Sequence, residues 1–231
     1  MASKEIHTYS YFRASKTEDL LAAAHQYKKL RLEALQLSPS SFASNYEVES
    51  QFTDDYWVSR LTQDGAVTFI CTASRIAEND ISNDIEPKWV AQVTFLGPQA
   101  EQDFTIPIDT RNFPVITSTS EKQERWQMLG LFTHPSHRGK GIAKTLTRNA
   151  LDYLTTRQDR TRDIIVRLMV KPGMHATIKM YQQLGFVEVG YCSLANALIG
   201  NGDRQNLPEG YENLDKYTAC TSHVMMQHFS S

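Results

Sequence analysis

The sequence is short of the features that mark many functional classes. Its 231 residues include three cysteines, Cys71, Cys192 and Cys220. They are odd in number and far apart, which suggests neither a disulfide framework nor a C-x-x-C metal site and points to a reducing compartment. No run approaches the roughly 20 apolar residues of a membrane-spanning helix. The first residues, Met1-Ala2-Ser3-Lys4-Glu5-Ile6-His7-Thr8, lack the apolar stretch of a secretion signal. A soluble, cytoplasmic protein without a membrane partner is therefore expected. Charge of one sign is also scarce: 24 Lys and Arg against 26 Asp and Glu leave a net charge of -2, without the basic excess of a nucleic-acid-binding protein.

Several chemical motifs are missing as well. The phosphate loop G-x-x-x-x-G-K-[ST] is absent, and G-x-G-x-x-G fails at its last position, where Lys144 stands. No G-x-S-x-G elbow or Cys–His pairing suggests a covalent acyl-enzyme. His134 and His137 lie three apart on a turn with no third ligand nearby in sequence, so no metal is expected.

What the chain does contain is concentrated between Trp126 and Ala150. Met128 to Phe132 is an apolar run of strand length, His134-Pro135-Ser136-His137 breaks it, and Ile142, Leu146 and Ala150 resume with helical spacing. Between them lies Arg138-Gly139-Lys140-Gly141-Ile142-Ala143. Two alternate glycines let the backbone approach a ligand with its N–H groups exposed, and the following helix adds unpaired amides and the positive end of its dipole. Such a loop suits phosphate. Arg138, Lys140 and Lys144 supply three cations around it, which argues for a ligand with several negative charges.

The stretch Arg-x-x-Gly-x-Ala after a strand resembles the acyl-CoA signature of the GNAT superfamily of N-acetyltransferases. About forty residues on, Lys171-Pro172-Gly173-Met174-His175-Ala176-Thr177-Ile178-Lys179-Met180-Tyr181-Gln182-Gln183-Leu184-Gly185-Phe186 is similar to the family's second signature. Arg31 to Leu35, with Pro39, Phe42 and Tyr46, resembles its first-helix region. The resemblance implies a single GNAT-like α/β (α+β) domain over residues 1–231, with a central mixed, mostly antiparallel sheet flanked by helices and a splayed strand at the CoA site. It implies transfer of acetyl from acetyl-CoA, as co-substrate and without metal, to an amine on a small molecule or a protein. A non-catalytic acyl-CoA-binding sensor or scaffold is the alternative.

The resemblance also implies residue roles. Leu131, Phe132 and Thr133 would offer backbone groups to the pantetheine arm, and Arg138, Gly139, Lys140, Gly141, Ile142, Ala143 and Lys144 would hold the pyrophosphate. Tyr181 matches the acid that protonates the departing thiolate; as a helical tyrosine beside Ile178 and Leu184 it also reads as core. Where the family carries a basic Glu or His, this chain has Gln127, which cannot act as a base and at most orients water or substrate, leaving Glu124 through water or an already neutral amine. Met174 replaces the family's usual Asn, and Thr177 its usual Ala. Arg31, Phe42 and Tyr46 fall where acceptor contacts are expected, although aromatics near a helix end are often core and a helical Arg is often solvated.

The remaining elements follow from pattern. An edge strand is expected over 6–14, and a capping box Ser15-Lys16-Thr17-Glu18 opens a helix that Ser38-Pro39 ends. A second helix is expected over 53–61, strands over 66–73 and 88–96 with a polar hairpin loop over 79–87, and further strands over 164–170, 186–191 and 224–229. Two long stretches, 97–124 and 193–214, lack a period and read as insertions, the first placed to cover an acceptor cleft.

Overall fold

The structure, a computed structural model, describes residues 6–42, 44–76, 87–113, 123–158 and 162–230. Seven strands, β1 (Ile6–Arg13), β2 (Ala66–Ile76), β3 (Lys88–Gln99), β4 (Gln123–Thr133), β5 (Asp163–Val170), β6 (Val187–Ser193) and β7 (Cys220–Phe229), form one sheet in the order β1-β2-β3-β4-β5-β7-β6. Every neighbouring pair is antiparallel except β4 and β5, which are joined through a helical crossover, the connection that parallel neighbours require. The expected mixed, mostly antiparallel sheet is present.

Eight helices accompany the strands among the described residues: α1 (Leu20–Leu37), α2 (Tyr46–Glu49), α3 (Asp54–Thr62), α4 (Glu101–Phe104), α5 (Ile142–Thr156), α6 (His175–Gln183), α7 (Leu194–Gly200) and α8 (Asp215–Thr218). The largest core joins α5, through Ile142, Leu146, Ala150, Leu151 and Leu154, to sheet residues such as Phe69, Cys71, Val93, Phe95 and Met128. On the opposite face Ala24 and Tyr27 of α1 pack with Trp57 and Leu61 of α3, and Leu30 and Ala34 reach Phe132.

Two expectations are corrected. Ser15 does not cap α1: its Oγ accepts from the amides of Thr17 and Glu18 and makes a turn ahead of the helix, which begins after Asp19 at a left-handed φ of 46°. The stretch 193–214 is not an unpatterned insertion either. It opens with α7, whose Ala195, Ala197, Leu198 and Gly200 are buried and whose first turn is capped by the Ser193 hydroxyl accepting from the Asn196 amide at 3.1 Å. Small apolar residues and adjacent glycines disguise this short helix. The expected hairpin loop falls largely on residues 79–86, outside the described residues.

In the other long stretch, β3 continues to Gln99, α4 follows, and the chain then packs beneath α7. Ile106 clusters with Val189, Cys192, Ala197 and Val224, and Asp109 exchanges two backbone hydrogen bonds with Tyr191 of 2.7 and 3.0 Å. Buried Phe104 and Ile106 direct this segment into the core; none of the described residues 97–113 lines the cleft that the expectation had them cover.

The close approach behind that bridge sits at Gly190, where φ is 152° and a Cβ would stand 2.4 Å from the Asp109 carbonyl oxygen. Gly190→Ala is therefore expected to lower stability by about 2 kcal/mol or more, since overpacking against backbone admits little relief. Urea unfolding with an unchanged slope and a lower midpoint would bear this out; an unchanged midpoint would show that the bridge yields freely.

Candidate active site

The site begins where two parallel strands part. β4 pairs with β5 from Gln123↔Asp163 to Gln127↔Arg167 and no farther, so the remainder of β4 has no strand beside it on that edge among the described residues. Its other edge stays paired to β3, with an irregularity: between Gln92 and Thr94 β3 has one residue, whereas β4 has two, Gly130 and Leu131, between Leu129 and Phe132. The bulge, with Gly130 at a φ of 68°, exchanges the faces of the strand. Met128 packs with the α5 core, Phe132 with α1 on the far side. Unpaired backbone and a local twist thus coincide at the residues expected to receive a peptide-like arm.

A cleft of about 480 Å³ opens in this gap. One wall comes from β4 residues Met128 to Thr133; another from Leu168 to Lys171 with Met174, Thr177 and Tyr181; a third from Tyr27, Arg31 and Arg60; and a fourth from Leu194, Ala197, Asn201 and Asp203. Among the described residues, three lining side chains carry buried polar atoms without hydrogen-bond partners: Gln92 Oε1, Thr133 Oγ1 and Ser44 Oγ. Buried polar atoms are normally paired, so these mark a cleft lined for a polar guest.

At one end of the cleft lies the glycine loop. Leu131, Phe132, Thr133, Arg138 and Ala143 line the cleft, while Gly139, Lys140 and Gly141 form an exposed rim before α5. Gly139 and Gly141 have φ of 74° and 77°, and a Cβ at either would meet nothing within 4 Å. The space over the loop is open. Ile142 buries its side chain in the core, leaving only its backbone for a ligand.

The three cations stand around this rim with neutral partners. Arg138 donates to the Thr133 carbonyl at 3.0 Å and the Ser38 hydroxyl at 2.7 Å, Lys140 to the Tyr9 hydroxyl at 2.8 Å, and Lys144 to Gln183 Oε1 at 3.0 Å. No carboxylate among the described residues neutralises them. Oriented cations without counter-ions at a helix N-terminus fit the pyrophosphate of CoA, and the open β4 edge fits its pantetheine amides.

Tyr181 is 5% exposed, lines the cleft and packs edge-on against Phe186 at 5.6 Å. Burial pushes its phenol well above the ordinary tyrosine range. Gln127 lies elsewhere: it is fully buried and does not line the cleft. Its Oε1 accepts from Arg167 Nε at 2.7 Å, and its Nε2 donates to Asn201 Oδ1 at 3.1 Å. Glu124 is also remote, accepting from Trp126 Nε1 at 3.1 Å and pairing with Arg157.

Arg31 and Phe42 line the cleft, and Tyr46 does not. Arg31 is committed to Glu49 by two bonds of 2.8 and 2.6 Å and lies over the Phe42 ring at 4.7 Å. Burial opposes its charge, but the Glu49 hydrogen bonds and charge outweigh that and raise its pKa. Met174 and Thr177, the departures from the second signature, both line the cleft. Sequence reasoning missed Gln92, Lys171, Asn201 and Asp203. The Asn201-Gly202-Asp203 turn was visible, but only α7 brings it over β4. Among the described residues no group of three or more His, Cys, Asp or Glu is placed to hold a metal.

Replacing Gly141 with Val is expected to weaken CoA binding at least about tenfold, because the side chain enters the open space over the loop. The fold, monitored by circular dichroism, is expected to persist. Calorimetric titration with CoA measures the loss; an unchanged affinity would remove the phosphate-cradle assignment.

Comparison with known proteins agrees with this geometry. The model of the acetyltransferase (GNAT) family matches residues 104–186, a span that holds β4, the glycine loop, α5 and Tyr181. No curated protein matches the sequence. Solved structures do match the fold. Arabidopsis thaliana NAA60, solved with a bisubstrate analogue, has a TM-score of 0.55 at 12% identity, covering 96% of this chain and 100% of its own. An acetyltransferase of the GNAT family from Streptococcus pneumoniae has a TM-score of 0.54 at 10% identity, covering 96% of this chain and 100% of its own. The yncA protein of Salmonella typhimurium, solved with its cofactor acetyl-CoA, has 0.54 at 12% identity, with 96% and 94% covered. Residues 104–186 thus match the acetyltransferase (GNAT) family model, and the fold of nearly the whole chain is similar to that of solved acetyltransferases.

Proposed function

We propose that the protein transfers the acetyl group of acetyl-CoA to a primary amine by direct attack in a ternary complex. The observation that carries this reading is the continuity of one groove. It runs from a rim of free amides and uncompensated cations, along an unpaired strand edge, to a cleft lined by a buried tyrosine. The rim supplies what a diphosphate needs and the strand edge what a chain of amides needs. The open walls beyond Leu129 leave room for a second substrate. Among proteins of similar fold, one was solved with acetyl-CoA and another with a bisubstrate analogue, which supports a two-substrate reading.

In this scheme the amine nitrogen attacks the thioester carbonyl, the C–N bond forms and the C–S bond breaks. Tyr181 gives its proton to the departing sulfur. The phenol is protonated at neutral pH, burial pushes its pKa further up, and it is therefore a donor rather than a base in this cleft. Release of free thiol from acetyl-CoA in the presence of an accepted amine tests the reading. A panel of polyamines, amino alcohols, amino acids and peptides with free N-termini spans the acceptor classes. CoA binding without thiol release from any of them would favour a sensor or scaffold instead.

Tyr181→Phe keeps the ring and its packing and removes only the proton donor. Turnover is expected to fall about 10- to 100-fold with acetyl-CoA affinity nearly unchanged. A thioester whose thiol has a lower pKa should recover much of the deficit. An equal deficit for both thioesters, or affinity falling with rate, would make Tyr181 a packing residue.

A further inference from the structure

An amine acceptor arrives mostly as ammonium and must lose a proton before it can attack. The described residues lining the cleft include Arg31, Arg60, Arg138, Lys171, Tyr27 and Tyr181, but no histidine and a single carboxylate, Asp203. Resting on the transferase reading above, we infer that Asp203 takes the proton from the acceptor's ammonium group, with Asn201 and Gln127 as positioning residues that hold it over β4.

The placement is built rather than incidental. Gln127 and Leu129 alternate onto one face of β4; Leu129 lines the cleft, and Gln127, a step earlier, is tied to Asn201. Gln127 is itself fixed by Arg167, which is 1% exposed and also donates to the Phe104 carbonyl. The Asp203 amide donates to the Leu198 carbonyl at 2.9 Å, closing α7. A tether of three side chains, Arg167–Gln127–Asn201, therefore pins the turn carrying Asp203 to the centre of the sheet.

The carboxylate has one oxygen engaged and one available. Oδ1 faces Arg60 Nη1 at 3.5 Å, a loose contact, and Oδ2 makes no hydrogen bond among the described residues. An independent observation points to a donor-bearing guest in the same cleft: Gln92, 1% exposed, lines it with Oε1 unpartnered. An ammonium group, with its N–H donors, suits acceptors of this kind.

The groups acting on Asp203 come from each helix packed near it: Arg60 and Tyr56 of α3, Arg31 of α1, and Glu49 of α2. Burial raises the Asp203 pKa, with Arg60 and Arg31 pulling the other way. A carboxylate shifted upward is a better proton acceptor than an exposed one. The ammonium gives one proton to Asp203, which passes it to solvent; the nitrogen loses a second after attack, and the sulfur leaves with one from Tyr181, which is then reprotonated. One acetyl-CoA and one ammonium ion yield one amide, one free thiol and one released proton.

The test uses the primary amine that the wild type acetylates best in the panel, compared with trifluoroethylamine, which is neutral at neutral pH. Asp203→Asn is expected to lower kcat/KM for the ordinary amine about 100-fold or more at neutral pH. The deficit should shrink as the pH approaches the amine's own pKa, and be small for trifluoroethylamine, with CoA affinity unchanged. Arg60→Gln removes a charge that lowers the Asp203 pKa, so the acid limb of the wild-type pH profile should move to higher pH; that shift carries the test if Asp203→Asn does not fold. A deficit independent of pH and of amine, no deficit at all, or an unmoved limb would overturn the inference. Thiol release by the wild type distinguishes the two failures. If the wild type turns over normally and Asp203→Asn matches it, only Asp203's role falls; if the wild type accepts no amine, the transferase reading falls with it.

Discussion

The structure depends on a single interruption of pairing. β4 and β5 share a parallel ladder as far as Gln127 and Arg167, and past that point β4 pairs, among the described residues, with β3 alone. A strand in the middle of a sheet normally spends both edges on neighbours. Here one edge is withheld, and backbone N–H and C=O groups inside a fold carry a desolvation cost unless something satisfies them. A ligand with amides in sequence meets that requirement, which is why the gap, the bulge at Gly130 and Leu131 and the loop before α5 read as one device.

Holding the gap open requires the surrounding elements to be rigid. Ile142, Leu146, Ala150 and Leu154 bury α5 against the sheet and fix its N-terminus at the end of β4. On the other face, Arg31 and Glu49 lock α1 to α2, and Lys171 at the end of β5 donates to the Phe42 carbonyl. The last paired position of the ladder has an added function. Arg167 is a buried cation with no ion-pair partner among the described residues, and burial draws its pKa down to about 10. It is held by the Gln127 amide, the Phe104 carbonyl and the Phe104 ring at 4.0 Å. Removing one polar member of such a network would strand the rest, so it fixes α7 and the 97–113 segment relative to the cleft.

Much of this was readable from the residues. The apolar run, the Pro break and the alternate glycines gave the end of β4, the loop and the start of α5, because each rests on local rules of period and backbone freedom, while the more polar first half of β4, from Gln123, escaped the apolar run. The three cations could be assigned to one spot because a loop and one helical turn keep them together. Less accessible were features set by partners distant in sequence. The resemblance puts Gln127 where the family carries its base, with at most a role in orienting water or substrate; the structure instead ties that side chain to Asn201, 74 residues on. Asp203 was invisible as a cleft residue for the same reason. Ser15 shows the opposite limit: its motif fits a helix cap, yet the chain turns once more before α1 begins.

In the proposed complex, the unpaired part of β4 receives the cofactor's amide chain. Backbone hydrogen exchange, measured residue by residue with and without CoA, addresses it directly. The account predicts added protection within Leu129–Thr133 and in the first turn of α5, with the β1 amides unchanged. CoA bound at saturation with no added protection on β4, or with protection confined to the α5 turn, would contradict it.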